Sequence, residues 1–131
     1  MKCLDTSVLI DITGGSSEAQ EATEAAIAEG AVTTELNAFE LFAGAHHRGL
    51  PVRREMEAAG IALRGLEILP LTRVASLKGA AIVSSLRSRG QDMGALDVLV
   101  AAIALTHGVD TIVTRDAAHF RRVPGFRVET Y

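Results

Sequence analysis

Cysteine is almost missing from this chain. Cys3 stands alone, which excludes an internal disulfide and any zinc cage of cysteine thiolates. Its place beside Leu4 in an apolar opening marks it as a small buried hydrophobe. Long hydrophobic runs are missing too: no stretch of eighteen apolar residues occurs, so no membrane-spanning helix is expected. The first residues lack the basic-then-apolar profile of an export signal, and the expected location is the cytoplasm. Basic residues are scarce at the start, where residues 1–40 set only Lys2 against eight acids. Residues 41–131 reverse that balance with twelve basic and eight acidic groups, eleven of the twelve being arginine. Guanidinium groups fork onto phosphate, so a polyanion can lie on this later part although the formal net charge is −3. Taken alone, the charge is explained more simply by a soluble surface of mixed sign.

With 131 residues and an apolar share of 48%, the chain has the length and core material of one domain, residues 1–131. Lys2-Cys3-Leu4 reads as a short buried strand ending at the polar turn Asp5-Thr6-Ser7, and Val8-Leu9-Ile10 begins a brief helix stopped by Gly14-Gly15. Ser17 with Gln20 has the form of a capping box before a helix over 18–29. Residues 31–34 form a second strand, and Thr34 can cap a helix carrying Leu36, Phe39 and Phe42. Beyond Pro51, Met56, Ala59, Leu63 and Leu66 sit at helical spacing, weakened by Gly60. Residues 66–69 form a third strand, and Thr72 can cap a helix to about Arg89 with Val74, Leu77 and Ala81 facing inward. Residues 95–106 are apolar on nearly every side, the mark of a buried helix. Strands over 111–114 and 126–129 complete the pattern.

Strands that alternate with helices imply an α/β fold with a mainly parallel five-stranded sheet, flanked by helices through right-handed crossovers. In such a sheet the ends of the strands and the starts of the following helices gather on one edge, where ligands bind. Asp5 ends the first strand and Asp116 follows the fourth. Glu40 lies in the early turns of the helix after the second strand, and Asp97 lies in the first turn of the buried helix. That helix runs about 15–18 Å away from the edge at 1.5 Å per residue, and the fourth strand returns the chain. A strand order of 3-2-1-4-5 would make the first and fourth strands neighbours at a crevice walled by Asp5 and Asp116.

Carboxylates crowded into a partly desolvated crevice repel one another unless a cation joins them. An all-oxygen set suits Mg²⁺ or Mn²⁺, while the lack of cysteine or paired histidine ligands counts against zinc and copper. Such an ion can polarise a phosphodiester and activate a water for in-line attack. Each acid alone also fits a turn, a cap or an exposed position. Only the joint placement of the four points to chemistry.

Those residues carry a resemblance. Residues 4–11, residues 34–44 around Glu40-Leu41, residues 96–104 beginning Leu96-Asp97, and Thr114-Arg115-Asp116 with His119-Phe120 together resemble the PIN-domain ribonucleases. In length and order the chain looks like a VapC-type toxin of a toxin–antitoxin pair. The resemblance implies a three-layer PIN-like fold with sheet order 3-2-1-4-5 and a Mg²⁺- or Mn²⁺-dependent endoribonuclease. It also implies a homodimer and a small VapB-type antitoxin whose tail fills the groove. By the motif, Asp5, Glu40 and Asp97 are metal ligands, and Asp116 binds a metal directly or through water. Thr114 matches the family's small hydroxyl residue, and Thr6 or Ser7 can orient Asp5 by a hydrogen bond.

Other polar residues invite simpler readings. Asp11, placed after the first helix, and Asp92, in the loop before Asp97, are expected to be solvated. Glu35 is explained by the helix dipole. His46, His47, His107 and His119 show no ligand spacing and are not assigned to catalysis. Arg115 can meet an RNA phosphate or pair with a nearby acid, and Arg87, Arg89, Arg121 and Arg122 fit ordinary surface charge. Only five aromatic residues are present, which favours a grip on the RNA backbone over base stacking. Three rival classes remain in view. A Mg²⁺-binding receiver-like signalling domain would want paired acids after the first strand and a lysine after the last, and a phosphatase of the DxD type would want an acid at Ser7. A catalytically inactive PIN-like module that binds RNA or a partner would not need four intact acids.

Overall fold

The computed structural model describes residues 1–47 and 49–131. Short apolar and β-branched runs form five strands, β1 (Lys2–Leu4), β2 (Ala31–Thr34), β3 (Glu67–Leu69), β4 (Thr111–Val113) and β5 (Arg127–Glu129). They pair in the order β3-β2-β1-β4-β5, and every neighbouring pair is parallel. The sheet is thus wholly parallel, and β1 and β4 lie side by side with Leu4 opposite Val113. Parallel neighbours need crossovers, which here are the helices α1 (Thr6–Thr13), α2 (Ser17–Ala28), α3 (Glu35–His47), α4 (Val52–Leu63), α5 (Arg73–Ser88), α6 (Ala95–Thr106) and the short α7 (Ala117–Phe120).

Successive strand residues point to opposite faces, so the sheet divides the core in two. Leu4 and Val113 join Val8, Leu9, Leu41 and Leu63 from helices α1, α3 and α4. Cys3 and Ile112 join Ile82, Leu86, Val98 and Ile103 from α5 and α6 on the other side. Helix α6 is sunk deepest, with Val98 and residues 100–104 all buried. Among the described residues no helix is long and apolar enough to cross a membrane.

Three local expectations need correction. Helix α2 is capped by Ser16, whose Oγ accepts the Ala19 N–H at 3.2 Å, one residue before the expected Ser17. The inward face of α5 is Ala75, Gly79, Ile82 and Leu86, whereas Val74 and Leu77 are 63% and 66% exposed and Ala81 also faces out. Both faces of α5 carry apolar residues, and the one holding Ala75 and Gly79 turns inward, where the absence of a side chain at Gly79 lets α6 approach closely. A Cβ on Gly79 would stand 3.1 Å from Leu99 Cδ2. Likewise α3 buries Asn37, Ala38, Leu41 and Ala45 and leaves Phe39 exposed.

Candidate functional site

Asp5 is the first residue past β1 and sits at the N-cap of α1, yet its side chain makes no capping bond. Its carboxylate turns instead to the seam between β1 and β4. Thr114 Oγ1, just past β4, donates to Asp5 Oδ2 at 2.7 Å, and Ser7 Oγ donates to the same oxygen at 3.1 Å. Asn37 Nδ2 donates to Oδ1 at 3.2 Å. Three donors take three of roughly four lone-pair positions on this buried carboxylate. Ser7 is itself held by the Arg115 backbone N–H, which donates to its Oγ at 3.0 Å.

Glu40 extends from α3 and accepts a hydrogen bond from Thr6 Oγ1 at 3.2 Å. Of the two hydroxyls expected beside Asp5, Ser7 serves that acid and Thr6 serves Glu40. Burial pushes the Glu40 carboxyl above its ordinary pKa, the Thr6 hydrogen bond opposes this, and the charges of Asp5 and Asp97 add to the rise. Asp97, in the first turn of α6, is also raised by burial, next by the charge of Asp5, and by Asp116, with His119 opposing. Asp116 caps no helix N–H and is 62% exposed. Asp5, Glu40 and Asp97 therefore stand within one another's electrostatic reach at the carboxyl edge of the sheet, and Asp116 joins them through Asp97. Among the described residues, no lysine or arginine forms an ion pair with any of them.

The donor set fits a hard divalent ion: its acids offer only oxygen, and burial followed by neighbouring carboxylates raises the pKa of two of them, Glu40 and Asp97. No three His, Cys, Asp or Glu side chains among the described residues form a ready-made ion cage. Mg²⁺ does not require one, because it keeps several waters and takes only one or two carboxylates directly.

Three residues play parts that the sequence did not reveal. Asn37 is fully buried and bonds both Asp5 and Thr6. Its only signal is a place three residues before Glu40, on the same helical face. His119, set aside for want of ligand spacing, brings Nδ1 to 3.4 Å from Asp116 Oδ2 and 3.7 Å from Asp97 Oδ2. Asp11 lies within α1 and is not merely solvated: Arg115 Nη1 reaches its Oδ1 at 2.6 Å, and Tyr131 donates to its Oδ2 at 2.8 Å. Arg115 thus has an acid partner. Asp92 is exposed and pairs with Arg87, and Glu35 is exposed at the start of α3. Arg89 and Arg122 bond backbone carbonyls of Arg122 and Asp92 respectively.

The PIN-domain family model matches residues 2–125. Among solved structures, VapBC2 of Rickettsia felis, bound to a DNA fragment from its promoter, superposes with a TM-score of 0.90 at 19% identity, covering 99% of this chain and 98% of that one. DNA-bound VapBC of Salmonella typhimurium gives 0.84 at 25% identity, with coverages of 98% and 96%. VapC20 of Mycobacterium tuberculosis, a Sarcin-Ricin loop cleaving toxin, gives 0.68 at 14% identity, with 91% and 92%. No curated protein sequence matches the chain.

Proposed function

Since the chain belongs to the PIN-domain family, we propose that it is a Mg²⁺- or Mn²⁺-dependent endoribonuclease acting as the toxin of a VapBC-type pair. One observation carries the chemistry: the acids Asp5, Glu40, Asp97 and Asp116 share one edge, where burial and then neighbouring carboxylates raise the pKa values of Glu40 and Asp97, and they have no lysine or arginine partner among the described residues. These are the residues that would hold the ion. When bound, the ion supplies Lewis-acid polarisation of the phosphodiester and activation of an attacking water. The chain's own groups do the rest. Ser7 and Thr114 hold the Asp5 carboxylate in one orientation, and Thr6 does the same for Glu40. Arg115 spends Nη1 on Asp11, so its remaining guanidinium N–H groups are the part an RNA phosphate would meet.

The toxin role and a VapB-type antitoxin partner are supported by the likeness to VapBC assemblies over nearly the whole chain. A homodimer is supported by the large apolar side chains that α3 and α5 leave exposed, Phe39, Val74 and Leu77. The test is to incubate the purified protein with structured RNAs and Mg²⁺ or Mn²⁺, then with EDTA, beside Asp5→Asn and Asp97→Asn. Cleavage is expected with metal and is expected to vanish with EDTA and in both variants. Unchanged cleavage under either condition sinks the reading, and RNA binding without cleavage would favour an inactive binding module.

A further inference from the structure

Burying an amide side chain is costly unless every donor and acceptor finds a partner. Asn37 lies at 0% exposure on the inward face of α3, between that helix and the ends of β1 and β2. Its Oδ1 accepts from the Thr34 hydroxyl at 2.7 Å and from the Thr34 backbone N–H at 3.3 Å. Its Nδ2 donates to Asp5 Oδ1 at 3.2 Å and to Thr6 Oγ1 at 3.0 Å. Two lone pairs and two N–H groups are thus all used. The orientation of the amide is over-determined as well. Rotating it by half a turn would set its oxygen against the Asp5 carboxylate and its NH₂ against the Thr34 N–H.

The two ends do different jobs. The oxygen end belongs to the start of α3, where Thr34 Oγ1 also accepts the Asn37 backbone N–H at 3.2 Å. That end alone would satisfy a helix start. The nitrogen end faces the acids: one N–H reaches Asp5 directly, and the other reaches Thr6, whose hydroxyl then donates to Glu40 Oε1. A single rigid group thereby touches one acid and, through one hydroxyl, a second acid 35 positions away.

We propose that Asn37 is a positioning residue that sets Asp5 and Glu40 in a fixed relation to each other, directly for the first and through Thr6 for the second. This rests on the reading of those acids as ligands of a divalent ion. Two like charges held side by side without a lysine or arginine drift apart unless something neutral and immobile holds them, and a fully bonded amide anchored to β2 does so without competing for the ion. Partners that orient ligands in this way typically contribute 10–100-fold to metal affinity.

The decisive experiment titrates Mn²⁺ alone, without RNA, into wild type, Asn37→Ala, Thr6→Val and Leu86→Ala, following free Mn²⁺ by electron paramagnetic resonance and melting temperature in parallel. Leu86 lies on the inward face of α5, buried in the apolar core that α5 and α6 share, so Leu86→Ala reports what loss of core packing does by itself. The expected result is Mn²⁺ binding by wild type, weakened about 10–100-fold in Asn37→Ala. A smaller loss is expected in Thr6→Val, which keeps the side-chain volume, and none in Leu86→Ala despite a lower melting temperature. RNA cleavage by Asn37→Ala should recover as Mn²⁺ is raised. Wild-type affinity in Asn37→Ala overturns the positioning role while leaving the nuclease reading intact. If Asn37→Ala does not fold, Thr6→Val decides by the same criterion. Absence of Mn²⁺ binding in wild type overturns the metal reading, and the positioning role falls with it.

Discussion

The Tyr131 phenol donates to Asp11 Oδ2 across 2.8 Å and ties the far end of the β5 side to α1, 120 positions earlier. The same carboxylate receives Arg115, so one acid gathers the segment after β4 and the segment after β5. Burial and then the bond to Asp11 push the phenol from its ordinary 10.0 up to about 12. Tyr131 is the only tyrosine and the chain has no tryptophan, so phenolate absorbance reports this one group. Alkaline titration should give a midpoint near that value. Asp11→Asn should lower the midpoint but leave it above 10.0, because burial remains.

Removing an acid from the candidate site should stabilise the metal-free protein. Asp97 is partly desolvated among acids, and Asp97→Asn deletes that penalty while keeping the shape. The expected gain is on the order of 0.5–1 kcal/mol, reduced by solvent screening, or roughly 2–4 °C in melting temperature. Thermal melts in EDTA check it. An unchanged or lower melting temperature would mean that the acids do not strain one another.

The gain should depend on pH with a definite sign. Glu40 and Asp97 are raised above their ordinary values of 4.5 and 3.8, so the folded protein holds their protons more tightly than the unfolded chain. Their contribution is fully present below those ordinary values and is lost as pH rises through the folded ones. Asp110, lowered by its bond to Arg127, works in the opposite direction and is lost as pH falls. The comparison is therefore differential: the advantage of Asp97→Asn over wild type should be widest at neutral pH and close toward pH 3.8, followed by urea melts across that range. An advantage independent of pH would contradict this origin.

Gly60 lies inside α4, exposed, with open space where a Cβ would sit. Gly60→Ala should add about 0.5–1 kcal/mol through helix propensity alone. Gly30 supplies the contrast. It adopts φ +86° and a Cβ there would meet the Met1 side chain at 3.2 Å, so Gly30→Ala should destabilise. Chemical denaturation of the two variants side by side reads both signs.

The corrected helix cap gives a fifth comparison. Ser16→Ala should cost about 1 kcal/mol by leaving the Ala19 N–H without its acceptor, and Ser17→Ala should be nearly neutral. A loss confined to Ser17→Ala would restore the cap to Ser17.

Those two serines show where the sequence was readable and where it was not. Strand and helix order followed from alternating apolar runs and glycine stops, and the four acids were singled out because Asp5 and Asp116 follow strands, Asp97 lies in the first turn of a helix and Glu40 lies in the early turns of another. What local pattern could not decide was phase. Ser16 and Ser17 can both cap, and α5 offers two apolar faces. The choice of Ala75 and Gly79 over Val74 and Leu77 depends on how near α6 comes, a fact of tertiary packing. Asn37 was invisible for the same reason, since its partners come from residues 5, 6 and 34. His119 sits on the four-residue helix α7, too short to display a period.

The hydrogen bond from Thr114 to Asp5 spans 109 positions of chain. Contacts that close so large a loop form late in folding, after local helices and nearer strand pairs. The edge therefore remains incomplete until β4 has docked beside β1. Under the proposed function, a chain in which that docking has not happened carries no working nuclease. The order in which the strands lie would make the completed sheet a condition for any cut, and a half-folded chain would be harmless to RNA.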